Sequence, residues 1–168
     1  MVRLAIAGDF ADILRVYAPF VTCTCVSFEV EVPTIEAFSE RLQGIMESYP
    51  ILVYESDGEI VGYAYASRHR EREAYRYSAD ASVYVAEGWH RRGIGSSLYA
   101  ELFERLEAME IFNVYAGIAL PNEGSVGLHK RFGFAEVGVY HNAGHKMGKW
   151  IDVVWMEKPL KECKKLLK

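Results

Sequence analysis

Residues 83–99 read VYVAEGWHRRGIGSSLY, in which an apolar strand pattern leads into a helical pattern across a turn with two glycines. The strand pattern extends back to Tyr77, because small or apolar side chains alternate with polar ones as far as Val85. From Ile94 onward apolar side chains recur every three or four residues, which predicts a long amphipathic helix. A strand therefore passes directly into a helix through a glycine-containing loop.

Gly93 and Gly95 lie where this loop enters the helix, and Arg91 and Arg92 come directly before them. Glycines let backbone N–H groups approach an anion closely, and a helix N-terminus adds about half a positive charge. The P-loop motif is absent, and Leu98 stands where the dinucleotide-binding fingerprint requires a small residue. Two interpretations remain at this point: an ordinary strand-to-helix connection with solvated arginines, or a backbone cradle for phosphate.

The remaining sequence alternates between strand and helix patterns without a regular βαβα repeat. Asp57-Gly58, between two apolar runs, predicts a tight hairpin turn. The full prediction is a strand at 2–6, helices at 8–20 and 34–49, strands at 51–54, 60–65, 77–85 and 113–119, helices at 94–109 and 125–132, and β-rich segments after Phe134 around a glycine-rich turn from Asn142 to Gly148. The predicted fold class is therefore α/β, as a mixed α+β sheet with helices packed on it.

The composition predicts one soluble domain spanning residues 1–168. Of the 168 residues 51% are hydrophobic, which suffices for a single core. The net charge of −4, with both signs interspersed, gives no broad positive field, so we expect no nucleic-acid partner. No signal segment and no apolar stretch of about 18 residues is apparent, so we expect no membrane partner. Cys23, Cys25 and Cys163 lack C-x-x-C spacing, which favours a reducing, cytoplasmic setting.

Neither a metal site nor a serine nucleophile is indicated. His141 and His145 are four residues apart, but no acidic or cysteine cluster completes a metal shell. The G-x-S-x-G motif of serine nucleophiles is missing as well. We therefore expect a reaction that needs no metal.

Four segments together resemble the GNAT superfamily of N-acetyltransferases, and within it the phosphinothricin N-acetyltransferase-like branch. They are YSADASVYV (77–85), HRRGIGSSLY (90–99), ALPNEGSVGLHKRFGF (119–134) and HKMGKWIDVVWMEKPL (145–160). The resemblance covers nearly the whole chain. It implies a GNAT-like acyl-CoA N-acyltransferase fold, with a central, mostly antiparallel sheet flanked by about four helices.

The resemblance also implies acetyl-CoA as the acetyl donor. Its pantetheine arm would lie along Val83, Tyr84 and Val85, and its pyrophosphate would be bound by Arg91, Arg92, Gly93, Ile94, Gly95 and Ser96. Asn122 and Ser125 match positions that face the pantetheine or nearby groups of the cofactor. One departure is visible, since His90 stands where the family usually has Gln or Arg.

Two side chains match catalytic positions of the family. Asp80 stands where a general base, usually Glu, is found, and its shorter side chain requires a bridging water; the alternative is a carboxylate paired with an arginine. His129 stands where the branch has a histidine near the thiol, which could protonate the departing thiolate. The alternative for His129 is a buried ring bonded to a backbone carbonyl. For the thioester carbonyl the expected hydrogen-bond donor is the Val85 N–H.

The branch acetylates small amino-acid-like amines that carry an anionic or strongly accepting group, such as phosphinothricin or methionine sulfone. Arg70, Arg76, Tyr77 and Phe28 match the acceptor-binding region, although a solvated charge run is the alternative for the arginines. Glu29, in the same loop as Phe28, and Lys146 and Trp150, in the C-terminal motif, complete the expected pocket. The resemblance implies a homodimer. Two other functions stay open: an acetyltransferase of proteins or peptides, and a CoA-binding module without catalysis.

Overall fold

The computed structural model describes residues 1–162, so Cys163 lies outside the described part of the chain. Seven strands and four α-helices are present in this part. The strands are β1 (Val2–Leu4), β2 (Ile51–Ser56), β3 (Glu59–Arg68), β4 (Ser78–Val85), β5 (Asn113–Ala119), β6 (Ala135–Lys146) and β7 (Lys149–Pro159). The helices are α1 (Phe10–Thr22), α2 (Ile35–Met46), α3 (Ile94–Ala108) and α4 (Glu123–Arg131).

All seven strands form one sheet in the order β1-β2-β3-β4-β5-β7-β6. Neighbouring strands are antiparallel except for β4 and β5, which are parallel. The predicted mixed, mostly antiparallel sheet with about four helices is therefore confirmed. Of the helices in residues 1–162, none has the length and apolar character needed to cross a membrane.

The two faces of the sheet carry separate apolar clusters. On one face α3 buries Leu98, Leu102 and Leu106 against Ala79 and Ala81 of β4. On the other face α1 and α2 pack against β2 and β3, with Tyr84 of β4 at the border of this cluster. Because side chains alternate along a strand, the even-numbered residues of β4 face α1 and α2, and Asp80 is among them.

The parallel pair is short, and this positions the site. Only Ser78–Asp80 of β4 pair with Asn113–Tyr115 of β5. Both strands continue for several residues beyond this ladder, but they diverge, leaving a gap between their carboxyl ends. Asp80 and Tyr115 form the last paired position, so they lie at the apex of that gap.

Most predicted elements are confirmed, with shifted boundaries. The hairpin turn at Asp57-Gly58 has φ angles of 53° and 81°, as a type I′ turn requires. The expected turn from Asn142 to Gly148 is wrong in extent, because β6 continues to Lys146 and the chain reverses at Met147-Gly148. The irregularity in this segment is a register shift between Tyr140 and Gly144, with Asn142 at a φ of 52°.

Candidate active site

A groove of about 820 Å³ runs between β4, the loop before α3 and the start of α4. Ten of the residues predicted to bind acetyl-CoA line it: Val83, Tyr84, Val85, Arg91, Gly93, Ile94, Gly95, Ser96, Asn122 and Ser125. Arg92 is not among the lining residues, since its guanidinium lies over the Trp89 ring at 4.6 Å. Three of the four segments that carry the family resemblance, at 77–85, 90–99 and 119–134, therefore line one groove.

The loop before α3 has the backbone that an anion cradle needs. Arg91 and Gly93 adopt φ angles of 61° and 79°, in the left-handed region, directly before the helix. The first N–H groups of α3 have no acceptor within the helix and open onto this groove. A Cβ atom on Gly95 would lie 3.2 Å from Leu128, so a side chain there would narrow the groove. These features fit the pyrophosphate of a CoA thioester.

The free edge of β4 offers backbone groups to the gap. Ala86 N–H donates to Val61 O on β3. Since N–H groups of successive residues in a strand point to opposite edges, the Val85 N–H points towards the gap. His90, which departs from the family pattern, donates through Nε2 to Val85 O at 2.9 Å. The expected donor role of the Val85 N–H agrees with this geometry.

Between the diverging strands lies a cavity of about 60 Å³, continuous in its lining with the groove. Residues 81–84 of β4 and 116–119 of β5 form its sides, and Tyr99 and His129 close it. Tyr99 is a site residue that sequence reasoning missed. The sequence does contain an indication of its role, because Tyr99 places a hydroxyl group on the apolar face of α3, next to Leu98 and one turn before Leu102.

His129 is 2% exposed and both of its ring nitrogens are hydrogen-bonded. Nδ1–H donates to Ser125 O at 2.8 Å, and Nε2 accepts from the Tyr99 hydroxyl at 2.9 Å. Burial lowers the pKa of His129, so the ring is neutral at neutral pH. The bond to a backbone carbonyl, weighed above as an alternative, is thus present. The Tyr99 hydroxyl, which lines the cavity, donates its proton to this ring, and burial raises the pKa of Tyr99 well above its ordinary value.

Asp80 is paired with a histidine rather than with an arginine. Its Oδ1 accepts a hydrogen bond from His69 Nδ1 at 2.6 Å. Burial raises the pKa of Asp80, while the His69 hydrogen bond opposes that rise. His69 lies directly after β3, in a charged run that hid it from sequence reasoning. Its ring stacks on Tyr115 at 4.3 Å, so the pair occupies the apex of the gap.

Arg70 and Trp155 lie beside this pair. The Arg70 guanidinium is 5.8 Å from the Trp155 ring centroid, and the His69 ring is 6.3 Å from it. The Trp155 indole Nε1–H is buried and has no hydrogen-bond partner among residues 1–162. A buried donor without an acceptor is energetically unfavourable. Sequence reasoning placed Arg70 here but missed Trp155.

Arg76 and Tyr77 are not brought to the apex. The Arg76 guanidinium lies over the Tyr77 ring at 4.4 Å and donates to its hydroxyl at 3.0 Å. Tyr77 packs against Phe112, and the alternation of β4 places it on the face opposite Asp80. The structure gives these two residues contacts with each other and with the sheet end, rather than with Asp80.

Phe28 belongs to the loop between α1 and α2, which crosses the end of β6. A Cβ atom on Gly144 would clash with the Phe28 ring, so the glycine makes room for that ring. Lys146, 6% exposed, donates to Ser27 O at 2.7 Å and fixes the loop. Trp150 is exposed and contacts His145. Among residues 1–162 no three or more His, Cys, Asp or Glu side chains are grouped to bind a metal ion.

Comparisons with known proteins agree with this geometry. Residues 2–155 match the acetyltransferase (GNAT) domain family. A phosphinothricin N-acetyltransferase of Streptomyces coelicolor is 41% identical over 163 residues, covering 95% of this chain and 95% of that protein. An L-methionine sulfoximine/L-methionine sulfone acetyltransferase of Pseudomonas aeruginosa is 33% identical over 161 residues, covering 93% and 92%. The crystal structure of a phosphinothricin acetyltransferase from Sinorhizobium meliloti in complex with AcCoA has a TM-score of 0.93 at 32% identity, covering 96% of this chain and 89% of that chain.

The family match spans most of the chain and includes the loop, the gap, His69 and His129. It confirms the predicted enzyme class, an N-acetyltransferase, and the complex with AcCoA supports the predicted acetyl donor. The fold, the groove and the sequence similarity lead to the same assignment. The chain belongs to the GNAT family of acetyltransferases.

Proposed function

We propose that the chain transfers the acetyl group of acetyl-CoA to the α-amino group of a small amino-acid-like acceptor, by direct transfer with general-base assistance. The observation that carries the proposal is one continuous path. The groove of about 820 Å³ leads into the cavity between β4 and β5, and Asp80 lies at the apex where that cavity ends. Donor and acceptor would therefore meet beside a carboxylate.

The donor would be held mainly by backbone. The N–H groups at the start of α3 would bind the pyrophosphate, and the free edge of β4 at Val83 and Val85 would bind the pantetheine arm. When bound, acetyl-CoA supplies an acetyl group activated as a thioester. The Val85 N–H is placed to donate a hydrogen bond in the gap.

We propose that His129 assists the reaction indirectly, by orienting the Tyr99 hydroxyl. The neutral His129 ring accepts the Tyr99 hydroxyl proton, which fixes the orientation of that hydroxyl at the inner wall of the cavity. As negative charge develops on the thioester during transfer, the hydroxyl would turn away from Nε2 and donate its one proton to that charge instead. His129 is then a positioning residue, held in its tautomer by Ser125 O.

The acceptor would carry an anionic or strongly accepting group beside its amine. Arg70 supplies a guanidinium and Trp155 a buried, unpaired N–H within the same small region. The names of the relatives, phosphinothricin and methionine sulfoximine/sulfone acetyltransferases, describe acceptors with such groups. A phosphinate, sulfone or carboxylate oxygen would satisfy the Trp155 N–H.

An acceptor screen tests this function. Release of CoA thiol would be followed with acetyl-CoA and either phosphinothricin, methionine sulfone or a short peptide with a free N-terminus and a lysine. We expect turnover with the small acceptors and none with the peptide. Turnover with the peptide alone would favour a peptide acetyltransferase, and binding of acetyl-CoA without any turnover would favour a CoA-binding module.

A Gly95→Leu variant serves as the matched control for the donor site. The added side chain would meet Leu128 and narrow the groove. We expect the KM for acetyl-CoA to rise by about tenfold or more, since close backbone approach is lost. The KM for the acceptor should stay unchanged.

We also propose that residues 1–168 form one N-acetyltransferase domain, that the protein is cytoplasmic and that it forms a homodimer. One sheet connects all seven strands of residues 1–162, and Cys23 and Cys25 are free thiols. The β6–β7 hairpin exposes Val137, Tyr140 and Trp150 at an edge of the sheet. Light scattering would measure the mass, and a monomer would contradict the dimer.

A further inference from the structure

We propose that His69 is a catalytic residue of the acetyl transfer: its Nε2 takes up the proton that the acceptor's ammonium group must lose, while Asp80 holds the ring through Nδ1. This inference rests on the proposed function. In place of a lone carboxylate, the base is then a histidine–aspartate pair, with His69 just past the end of β3 and Asp80 on β4.

The sheet register brings the two residues together. Ser67 of β3 pairs with Asp80 of β4, and His69 follows Ser67 by two residues, just past the end of β3. The Asp80 side chain is short, and its Oδ1 is engaged by His69 Nδ1 at 2.6 Å. The imidazole therefore extends the reach of the carboxylate beyond what an aspartate alone provides.

The hydrogen bond also fixes the tautomer of His69. A carboxylate oxygen can only accept, so Nδ1 must carry the proton. In the neutral ring Nε2 then has a lone pair and can accept a proton. The resulting imidazolium would lie against the Asp80 carboxylate, so proton uptake leaves the pair with no net charge. Because the site is largely shielded from water, this neutral pair is favoured over an isolated carboxylate.

The pair lies where the acceptor must reach it. His69 stacks on Tyr115, the last paired residue of β5, and the cavity lining begins one residue further, at Ala81 and Ala116. The His69 side chain is 11% exposed and that of Asp80 is 27% exposed, so neither is sealed off. Five titratable or charged side chains lie near the pair: Arg70, Tyr75, Tyr115, Tyr49 and Tyr65.

The chemical step balances without an additional reactant. His69 Nε2 accepts one proton from the ammonium and leaves a neutral amine. The amine nitrogen forms the new bond to the acetyl carbon, and the bond from that carbon to the CoA sulfur breaks. The second amine proton leaves and the thiolate is protonated, giving amide and thiol. His69 then returns its proton to water.

A His69→Asn variant tests the proposal sharply. The asparagine amide can still donate to Asp80 from a position near that of Nδ1, but it has no basic nitrogen. We expect kcat/KM for methionine sulfone to fall by about 10²–10³-fold at neutral pH. The remaining rate should rise with pH in proportion to the free amine, while the KM for acetyl-CoA and the melting temperature stay close to those of the parent chain.

Adding Asp80→Glu to the His69→Asn variant should restore much of the lost activity. Its longer carboxylate would reach the ammonium directly, so His69→Asn combined with Asp80→Glu should recover to within about tenfold of the parent rate. His141→Asn is the matched control, because His141 contacts Asp152 through the same ring nitrogen outside the site. It should leave the rate unchanged.

Several outcomes would overturn the proposal. A His69→Asn rate within about threefold of the parent, or an unchanged pH profile, would make His69 a packing residue. Failure of Asp80→Glu to restore the rate would show that the ring is required for another reason. If the parent chain acetylates none of the acceptors, the proposed function itself fails, and this inference fails with it.

Discussion

Two histidine–aspartate pairs in this chain have nearly the same contact and opposite surroundings. His69 Nδ1 is 2.6 Å from Asp80 Oδ1, and His141 Nδ1 is 2.9 Å from Asp152 Oδ2. The first pair lies at the apex of the gap between β4 and β5, with side chains 11% and 27% exposed. The second lies at the surface near the β6 register shift, with side chains 75% and 38% exposed.

Because their surroundings differ, the pKa values of the two aspartates are shifted in opposite directions. Burial is the main influence on Asp80 and raises its pKa. The Asn142 N–H and then His141 hydrogen-bond to Asp152 and lower its pKa. A hydrogen bond to histidine therefore does not by itself make a base. Shielding from water, together with a place at the end of a substrate path, distinguishes the catalytic pair from the structural one.

The two pairs should differ most in kcat when the aspartate of each is replaced by an uncharged asparagine. Asp80→Asn keeps an oxygen that accepts from His69 but removes the carboxylate, so we expect kcat to fall by about 10²–10⁴-fold. Asp152→Asn should leave kcat within a factor of about two, since surface substitutions usually have small effects. Thiol release at saturating acetyl-CoA measures both. Equal losses in the two variants would remove the distinction drawn above.

Tyr99→Phe should have the next largest effect. The Tyr99–His129 hydrogen bond is buried, and the substitution removes only the hydroxyl while the ring stays packed. Loss of a donor to developing charge should lower kcat by about 10²-fold. Tyr54→Phe, on β2 away from the gap, is the control. If Tyr99→Phe keeps the full rate, then burial beside the cavity is insufficient for a catalytic role.

Trp155→Phe should change acceptor binding more than the chemical step. The variant removes the unpaired Nε1–H beside Arg70 and keeps most of the aromatic surface. Loss of one hydrogen bond of about 1 kcal/mol corresponds to roughly a fivefold rise in the KM for methionine sulfone. The KM for acetyl-CoA should not move. An increase in both KM values would point to a disturbed fold instead.

The smallest expected effect of these substitutions is on folding stability. Replacing Asp80 should raise the stability, and replacing Asp152 should lower it. The folded state raises the pKa of Asp80, so its ionised form costs stability above that pKa, and the cost disappears as the pH falls. Asp80→Asn should therefore stabilise the fold at neutral pH, by about 0.5–2 kcal/mol. The folded state lowers the pKa of Asp152, so its stabilising effect is present at neutral pH and is lost in acid.

Thermal unfolding of both aspartate variants at neutral and acidic pH checks these signs. We expect the melting temperature to rise for Asp80→Asn and to fall for Asp152→Asn at neutral pH. Both differences should shrink in acid, where the aspartates of the parent chain become protonated. A fall for both variants at neutral pH would mean that Asp80 serves the fold rather than the reaction.

Local features of the site could be predicted from sequence. Strand, loop and helix between Val83 and Tyr99 are consecutive, so periodicity and glycine spacing predict this strand–loop–helix unit without tertiary information. The family resemblance was needed to choose a phosphate cradle over an ordinary connection. Asp80 could be assigned to a face by alternation alone. The hairpin at Asp57-Gly58 followed from the φ angles that its residues tolerate.

The partners of these residues could not be predicted in the same way. His69 and Asp80 are 11 residues apart, and so are His141 and Asp152, so spacing does not distinguish them. Their roles depend on the register of β3 with β4 and on where β4 parts from β5. Trp155 reaches the site only because β7 inserts between β5 and β6, which no local pattern indicates.

A double-mutant cycle on kcat/KM for methionine sulfone tests most directly the claim that His69 and Asp80 act as one base. Residues that act as a unit are strongly non-additive. We predict that His69→Asn combined with Asp80→Asn is no slower than Asp80→Asn alone, within about threefold, and that the parallel cycle on His141 and Asp152 shows no loss at any step. Losses that multiply at the first pair would contradict the account, because the two side chains would then contribute independently.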